Sequence, residues 1–410
     1  MKINKHCFPN GLRLVHYEDT STQMVALNIV YDVGARDEHP EHTGFAHLFE
    51  HLMFGGSAHI PDYDTPLQLA GGENNAWTNN DITNYYLTVP KPNVETAFWL
   101  ESDRMLELAF SEQSLEVQRG VVMEEFKQRC LNQPYGDVGH LFRPLAFRVH
   151  PYRWPTIGKE LSHIEQATLD EVKSFFYRFY APNNAVLAVT GNISWDETVK
   201  LTEKWFAPIP RRDVPVRQLP QEPEQTQERR LTVERNVPLD ALFMGYHMCS
   251  REGADYYAFD ILSDILSNGR SSRLNRRLVQ EQNIFSGIDA YISGTRDAGL
   301  LQISGKPAAG VSLEQAEAAV RKELEELQRS PVDGQELEKV KNKFESTQIF
   351  GNINYLNVAT NLAWFELLGK AEDLEKEVER YRSVTAMQLR EVAQSAFRKE
   401  NGVVLYYKSK

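Results

Sequence analysis

The segment His47-Leu-Phe-Glu50-His51 carries the residue types that metal-assisted hydrolysis needs. Gly44 through Phe54 reads as a helix whose apolar faces are Phe45, Leu48, Phe49, Leu52 and Met53. His47 and His51 are four residues apart, so they stack on one side of that helix. Two imidazoles placed in this way can bind one zinc ion. Glu50, three residues after His47, points into the same space without having to be a ligand. It can take a proton from water that zinc has made acidic, which leaves hydroxide to attack a peptide carbonyl.

A catalytic zinc needs a third protein ligand and an open fourth position. The best candidate lies on the helix that runs through Gln118-Arg-Gly-Val-Val-Met-Glu-Glu125. Glu124 and Glu125 are adjacent and point about 100° apart, so only one of them readily faces a metal. Periodicity does not choose between the two.

These residues must be held by larger elements. Alternating patterns read as strands over 25–31, 83–89 and 241–247, and helical periodicity covers 93–109, 113–130, 312–329 and 335–350. Sheets mixed with longer helices imply an α+β fold of two halves. Each half is expected to be a mainly antiparallel sheet with helices packed on one face. Pro208, Pro210, Pro215, Pro220 and Pro223, followed by a charged run, read as an extended linker. The expected division is an N-terminal zinc-binding domain over 1–210, a linker over 211–230 and a C-terminal domain without a metal site over 231–410.

The halves look duplicated. Thr168-Leu-Asp-Glu171 and Thr385-Ala-Met-Gln388 both have the form of a capping box, 217 residues apart. FAHLFEHLMFGG can be laid on AFDILSDILSNG at an offset of 213, which places Asp260, Ser263 and Asp264 where the first half has His47, Glu50 and His51. One metal site per chain is expected, with Asp260 and Asp264 as solvated helix acids.

Composition narrows the partners. A net charge of −12 argues against nucleic acid, which needs a basic footprint. No stretch approaches the roughly 20 apolar residues of a membrane helix. The 3 cysteines, Cys7, Cys130 and Cys249, form no disulfide framework, and a reducing cytoplasmic setting is the expectation.

The surroundings of the motif resemble the pitrilysin/insulinase family of zinc metallopeptidases, whose His-x-x-Glu-His pattern is the inverzincin one. Thr43-Gly-Phe-Ala-His-Leu-Phe-Glu-His-Leu-Met-Phe-Gly-Gly56 resembles that family's zinc helix, and Gly72-Glu-Asn-Asn-Ala-Trp-Thr78 with Thr83-Asn-Tyr-Tyr86 resembles its substrate-binding strand. Val121-Val-Met-Glu-Glu125 resembles the segment with the distal ligand, and Glu125 follows His51 by 74 positions, close to the family's spacing. The resemblance implies that His47, His51 and Glu125 hold zinc, that Glu50 is the general base, and that Asn75, Ala76 and Trp77 bind peptide along an edge strand. Gln118 stands where the family has a further acid.

The resemblance extends over essentially the whole chain. It is to the short bacterial type, similar to a subunit of mitochondrial processing peptidase, and it implies a dimer that cuts unfolded peptides. It also implies an Arg and a Tyr seven positions apart in the second half, which would hold substrate and stabilise the oxyanion. The matching positions here are Val279 and Ser286, and no Arg between 230 and 410 is followed seven residues later by Tyr. The expectation is therefore a heterodimer in which a homologous chain supplies the pair. The alternatives are that Arg273, Arg276, Arg277 or Tyr291 serves in another geometry, or that the chain is a non-catalytic peptide-binding or scaffolding subunit.

Overall fold

A computed structural model describes residues 1–410. The strands of the first sheet are β1 (Ile3–Cys7), β2 (Arg13–Glu18), β3 (Met24–Tyr31), β4 (Glu73–Thr78), β5 (Thr83–Pro90) and β6 (Ala185–Gly191). Those of the second are β7 (Arg229–Arg235), β8 (Ala241–Met248), β9 (Phe285–Ile292), β10 (Gly299–Pro307) and β11 (Gly402–Ser409). The spatial orders are β1-β2-β6-β3-β5-β4 and β7-β11-β8-β10-β9. Without β1, the two orders are the same. In each, the only parallel pair sits at the same place, β2 with β6 and β7 with β11. This shared topology is what a duplicated α+β unit produces. The helices form over Val94–Leu106, Glu112–Phe126, Leu313–Arg329 and Gly334–Gly351, close to the ranges expected from periodicity.

Strand periodicity builds the core of the first sheet. Along β3, Val25, Leu27, Ile29 and Tyr31 enter one apolar cluster, together with the helix Phe45–Leu52. Ala26 and Val30 enter another, on the opposite face. Such period-2 alternation with both faces buried requires cover on each side. The second face is covered by the helix Tyr355–Leu368, whose Val358, Ala359, Leu362 and Ala363 pack on Val15, Ala26, Val30, Val186 and Ala188. The second sheet shows the same arrangement. The helix Val138–Ala146 sends Phe142 and Ala146 against Ala241, Val403 and Leu405, while Leu242, Met244 and Tyr246 face the main cluster.

The compact units are accordingly not the contiguous spans 1–210 and 231–410. The first holds Met1–Leu131, Trp154–Leu219 and Ile349–Lys376; the second holds Asn132–Arg153, Pro220–Gln348 and Glu377–Lys410. Each sheet takes one covering helix from the other half of the sequence, because its second apolar face must be buried by something.

The proline-rich stretch also differs from a free linker. It has no helix or strand before β7 begins at Arg229, as expected of an extended segment. It is nevertheless fastened. Arg217 pairs with Asp32 at 3.0 Å and with Asp37, and Arg212 donates to the Leu106 carbonyl at 2.6 Å. Glu222 accepts N–H groups from Arg148, Val149 and His150. Of the two capping boxes, Thr168 with Glu171 forms completely. Thr385 accepts the Gln388 N–H at 3.1 Å, which is the forward half of a box.

One buried ion pair anchors the first sheet. Arg104 is 1% exposed; its Nε donates to Glu101 at 3.0 Å, and its guanidinium lies 4.6 and 4.5 Å from the Tyr63 and Tyr85 ring centres. Tyr63 donates to the other oxygen of Glu101 at 2.6 Å. Glu101→Ala would leave the guanidinium buried without its counter-charge. The expected cost is about 3–5 kcal/mol of stability, the usual penalty for removing one partner of a buried pair. Chemical denaturation of the variant checks it: an unchanged midpoint would mean that Arg104 is compensated by other groups.

Candidate metal and peptide site

The helix Phe45–Leu52 starts at Gly44, whose φ of 87° is left-handed. A side chain there would also be crowded, because a Cβ would lie 2.7 Å from Ile164 Cδ1 and 2.9 Å from the Ile157 carbonyl. The helix has no side-chain cap of its own. The buried carboxylate of Glu38 takes that role, accepting the Gly44 and Ala46 N–H groups at 2.9 Å each. Carboxyl oxygens at a helix N-terminus satisfy donors that have no partner within the helix. Burial pushes Glu38 up to about 8, against the pull of those two donors. It lies only 6 and 8 residues before the groups it caps, but no regular periodicity links it to them, because the intervening chain is a loop.

Phe45, Leu48, Phe49 and Leu52 turn into the core, which directs His47 and His51 to one side. Their rings lie 4.9 Å apart at 90°. The helix Glu112–Phe126 brings the third group. Its Leu115 and Val122 anchor it in the same cluster, and Ser111 caps it by accepting the Ser114 N–H at 3.0 Å. Glu125 Oε2 then stands 3.5 Å from His47 Nε2 and 3.3 Å from His51 Nε2. Glu124 is exposed and accepts a hydrogen bond from Gln128 at 3.3 Å. Of the two adjacent acids, Glu125 is thus the one placed with the histidines.

The ligand atoms of His47, His51 and Glu125 all lie within 4.8 Å of one another. Two imidazole nitrogens and one carboxylate oxygen suit zinc by ligand type and number. Burial lowers His47 to about 4, so its imidazole is neutral at neutral pH and available as a ligand. The hydrogen bond from His51 is the largest influence on Glu125 and holds it below the ordinary carboxylate range.

Glu50 lies beside this group. Burial raises its pKa, partly offset by the neighbouring Thr78 hydroxyl. Thr78 ends β4, an edge strand paired only with β5. The Ala76 N–H donates to Asn75 Oδ1 at 2.8 Å. Ala76 faces the cluster that contains the motif helix, whereas Trp77 packs on the opposite face, among the residues covered by Tyr355–Leu368. Trp77 therefore adjoins the site through its backbone and not its ring. Tyr85 is fully buried, consistent with core packing.

Sequence reasoning also missed Thr78 and Arg129. Arg129 Nη2 lies 2.9 Å from Glu125 Oε1, and the i,i+4 spacing is the signal that could have found it. Gln118 sits beside the turn at Gly55. His42 and His59 lie outside the motif helix, and each has an acidic partner: His42 is 3.2 Å from Glu171 and His59 is 2.6 Å from Asp103.

In the second unit, the helix Tyr256–Ser267 carries Asp260 and Asp264. They are not simply solvated. Burial raises Asp260 to about 6 and Tyr381 donates to it, while Asn268 donates to Asp264 at 2.8 Å. Val279 is half-buried, and Ser286 is exposed on β9. Arg273 is held by Glu336 at 2.7 Å, and Arg277 by Glu323 at 2.6 Å and by Glu326. Arg276 lies 3.6 Å from Glu281, and Tyr291 is exposed on β9.

Residues 13–137 match the family described as insulinase (peptidase family M16), and residues 166–344 match the peptidase M16 inactive domain. The zinc protease PqqE of Helicobacter pylori is 29% identical over 81% of this chain and 76% of its own length. YmxG of Bacillus subtilis, described as an uncharacterized zinc protease, is 24% identical over 98% of both chains. The crystal structure of a protease from Helicobacter pylori superposes with a TM-score of 0.94 at 26% identity, over 99% of each chain. An M16 inactive-domain structure from Pseudomonas fluorescens has a TM-score of 0.90 at 16% identity, over 100% of this chain and 99% of its own, which is a likeness of fold.

Proposed function

This chain belongs to the M16 family of peptidases, and from that premise we propose that it is a zinc-dependent endopeptidase acting on unfolded peptides. The observation that carries this reading is the placement of Glu50. It borders the His47, His51 and Glu125 donors and adjoins Thr78 at the end of an edge strand. Zinc held by those three residues would supply Lewis acidity toward water and the scissile carbonyl.

The chain's own groups do the rest. An extended peptide adds to the open edge of β4 by main-chain hydrogen bonds, a mode that tolerates many sequences. The Ala76 N–H, now satisfied by Asn75, is a donor the peptide can take over. Glu50 removes a proton from the attacking water and delivers it to the leaving amine nitrogen. Partial burial favours this exchange by bringing the carboxyl nearer to neutral pH.

The active form in this proposal is a heterodimer in which a homologous chain lends an Arg/Tyr pair. What supports it is the chemistry at Val279 and Ser286, neither of which can stabilise an oxyanion as Arg and Tyr do, and the engagement of Arg273 and Arg277 with glutamates. The test is cleavage of an unstructured peptide library by the zinc-loaded chain, alone and mixed with a homologue that lacks the zinc motif. The expected result is turnover in the mixture and little by the chain alone. Equal rates would discard the obligate partner. Absence of cleavage in both would favour the scaffolding subunit, the reading for which the missing pair also speaks. A cytoplasmic setting accords with three cysteines that form no disulfide, and subcellular fractionation tests it.

A further inference from the structure

The carboxylate of Glu125 is shared between two partners. Oε2 faces His47 and His51, at 3.5 and 3.3 Å, and Oε1 is engaged by Arg129 at 2.9 Å. Arg129 lies where the helix changes its winding, because residues 127–131 form a π-helical turn directly after Phe126. Such turns cost regular hydrogen bonding and recur at functional sites. The Arg129 side chain is 68% exposed, and an exposed i,i+4 pair contributes little to stability. Its effect therefore falls on the orientation of Glu125 and not on the fold.

Resting on the zinc reading above, we propose that Arg129 is a positioning residue that restricts Glu125 to one-oxygen ligation. A carboxylate free of Arg129 can offer both oxygens to the metal, and the second would occupy the position that water and the peptide carbonyl need. With Oε1 engaged by the guanidinium, that position stays open. Groups that orient a ligand in this way tune a metal site without touching the metal. Residue type matters too: a guanidinium holds one carboxylate oxygen in a fixed direction, and an ammonium at the same place can do so with less precision.

The test compares the wild-type chain with Arg129→Ala and Arg129→Lys, each loaded with cobalt for spectroscopy and with zinc for kinetics, in the mixture with the homologue. Cobalt absorbs visible light less strongly as its coordination number rises. The expected result for Arg129→Ala is a weaker cobalt band, a kcat about 10–100-fold lower with KM unchanged, and an unaltered melting temperature. Arg129→Lys should recover most of the band and of kcat. A wild-type band in Arg129→Ala overturns the proposal, whether or not turnover falls, since any loss would then come from contact with substrate. A band that weakens in a chain that cleaves no peptide would support the ligation inference and sink the peptidase reading. A wild-type chain that binds no cobalt overturns both.

Discussion

Glu50→Gln is expected to bind zinc as the wild-type chain does and to lose peptide hydrolysis by about 10²–10⁴-fold, the range that a positioned acid–base group supplies. The isosteric amide keeps the Thr78 neighbour and the helix packing but cannot accept the water proton. The separation of binding from turnover is the diagnostic part. Glu50 stands beside the His47, His51 and Glu125 donors without belonging to their 4.8 Å group, so the three ligands remain when it changes. Metal content measured on the same preparation as activity decides the matter. Full activity in Glu50→Gln would sink the base assignment, and loss of zinc would mean that Glu50 is a ligand.

The second large effect concerns the ligands. His51→Ala and Glu125→Gln should each weaken zinc binding by more than the roughly 10–100-fold that outer-shell changes cost, and activity should fall with it. His47→Ala should do the same, but His47 is the more buried of the two imidazoles, so His51→Ala gives the cleaner comparison. Glu124→Gln is the matched control. Its side chain is exposed and turned toward Gln128, so zinc affinity should not change. Competition against a chromophoric chelator measures all four. A Glu124→Gln chain that loses zinc while Glu125→Gln retains it would reverse the assignment of the third ligand.

The parts of the site written in local periodicity were legible from the residues. His47, Glu50 and His51 lie within one helix, and helical geometry alone sets their common side. Glu124 and Glu125 show where that reasoning stops. Both sit on a helix of the right length, and the choice depends on how Leu115 and Val122 turn that helix against the motif helix. The resemblance supplied that register. Arg129 was within reach of the i,i+4 rule. Glu38 was not, because its bonds to Gly44 and Ala46 follow the course of a loop.

For the fold, strand alternation located β3, β5 and β8 to within about a residue, and the repeat foretold two related halves, each with its own sheet. The exchange of covering helices was invisible. Tyr355–Leu368 presents Val358, Ala359, Leu362 and Ala363, a pattern that says the helix is buried without saying beneath which sheet. The same holds for Val138–Ala146 and the proline-rich stretch that was read as a boundary.

That exchange bears on how the chain is made. All six strands of the first sheet have left the ribosome once Gly191 emerges, yet the helix that covers the sheet's second face begins only at Tyr355, 164 residues later (355 minus 191). Val15, Ala26, Val30, Val186 and Ala188 must wait that long for their cover. Domains usually fold as units from the N-terminus during synthesis, and exposed apolar sheet surface invites aggregation. A nascent first half with this face uncovered is expected to need chaperones or slow completion. A gene split within the proline-rich stretch would yield two polypeptides, each with one sheet face bare, that become soluble only when produced together.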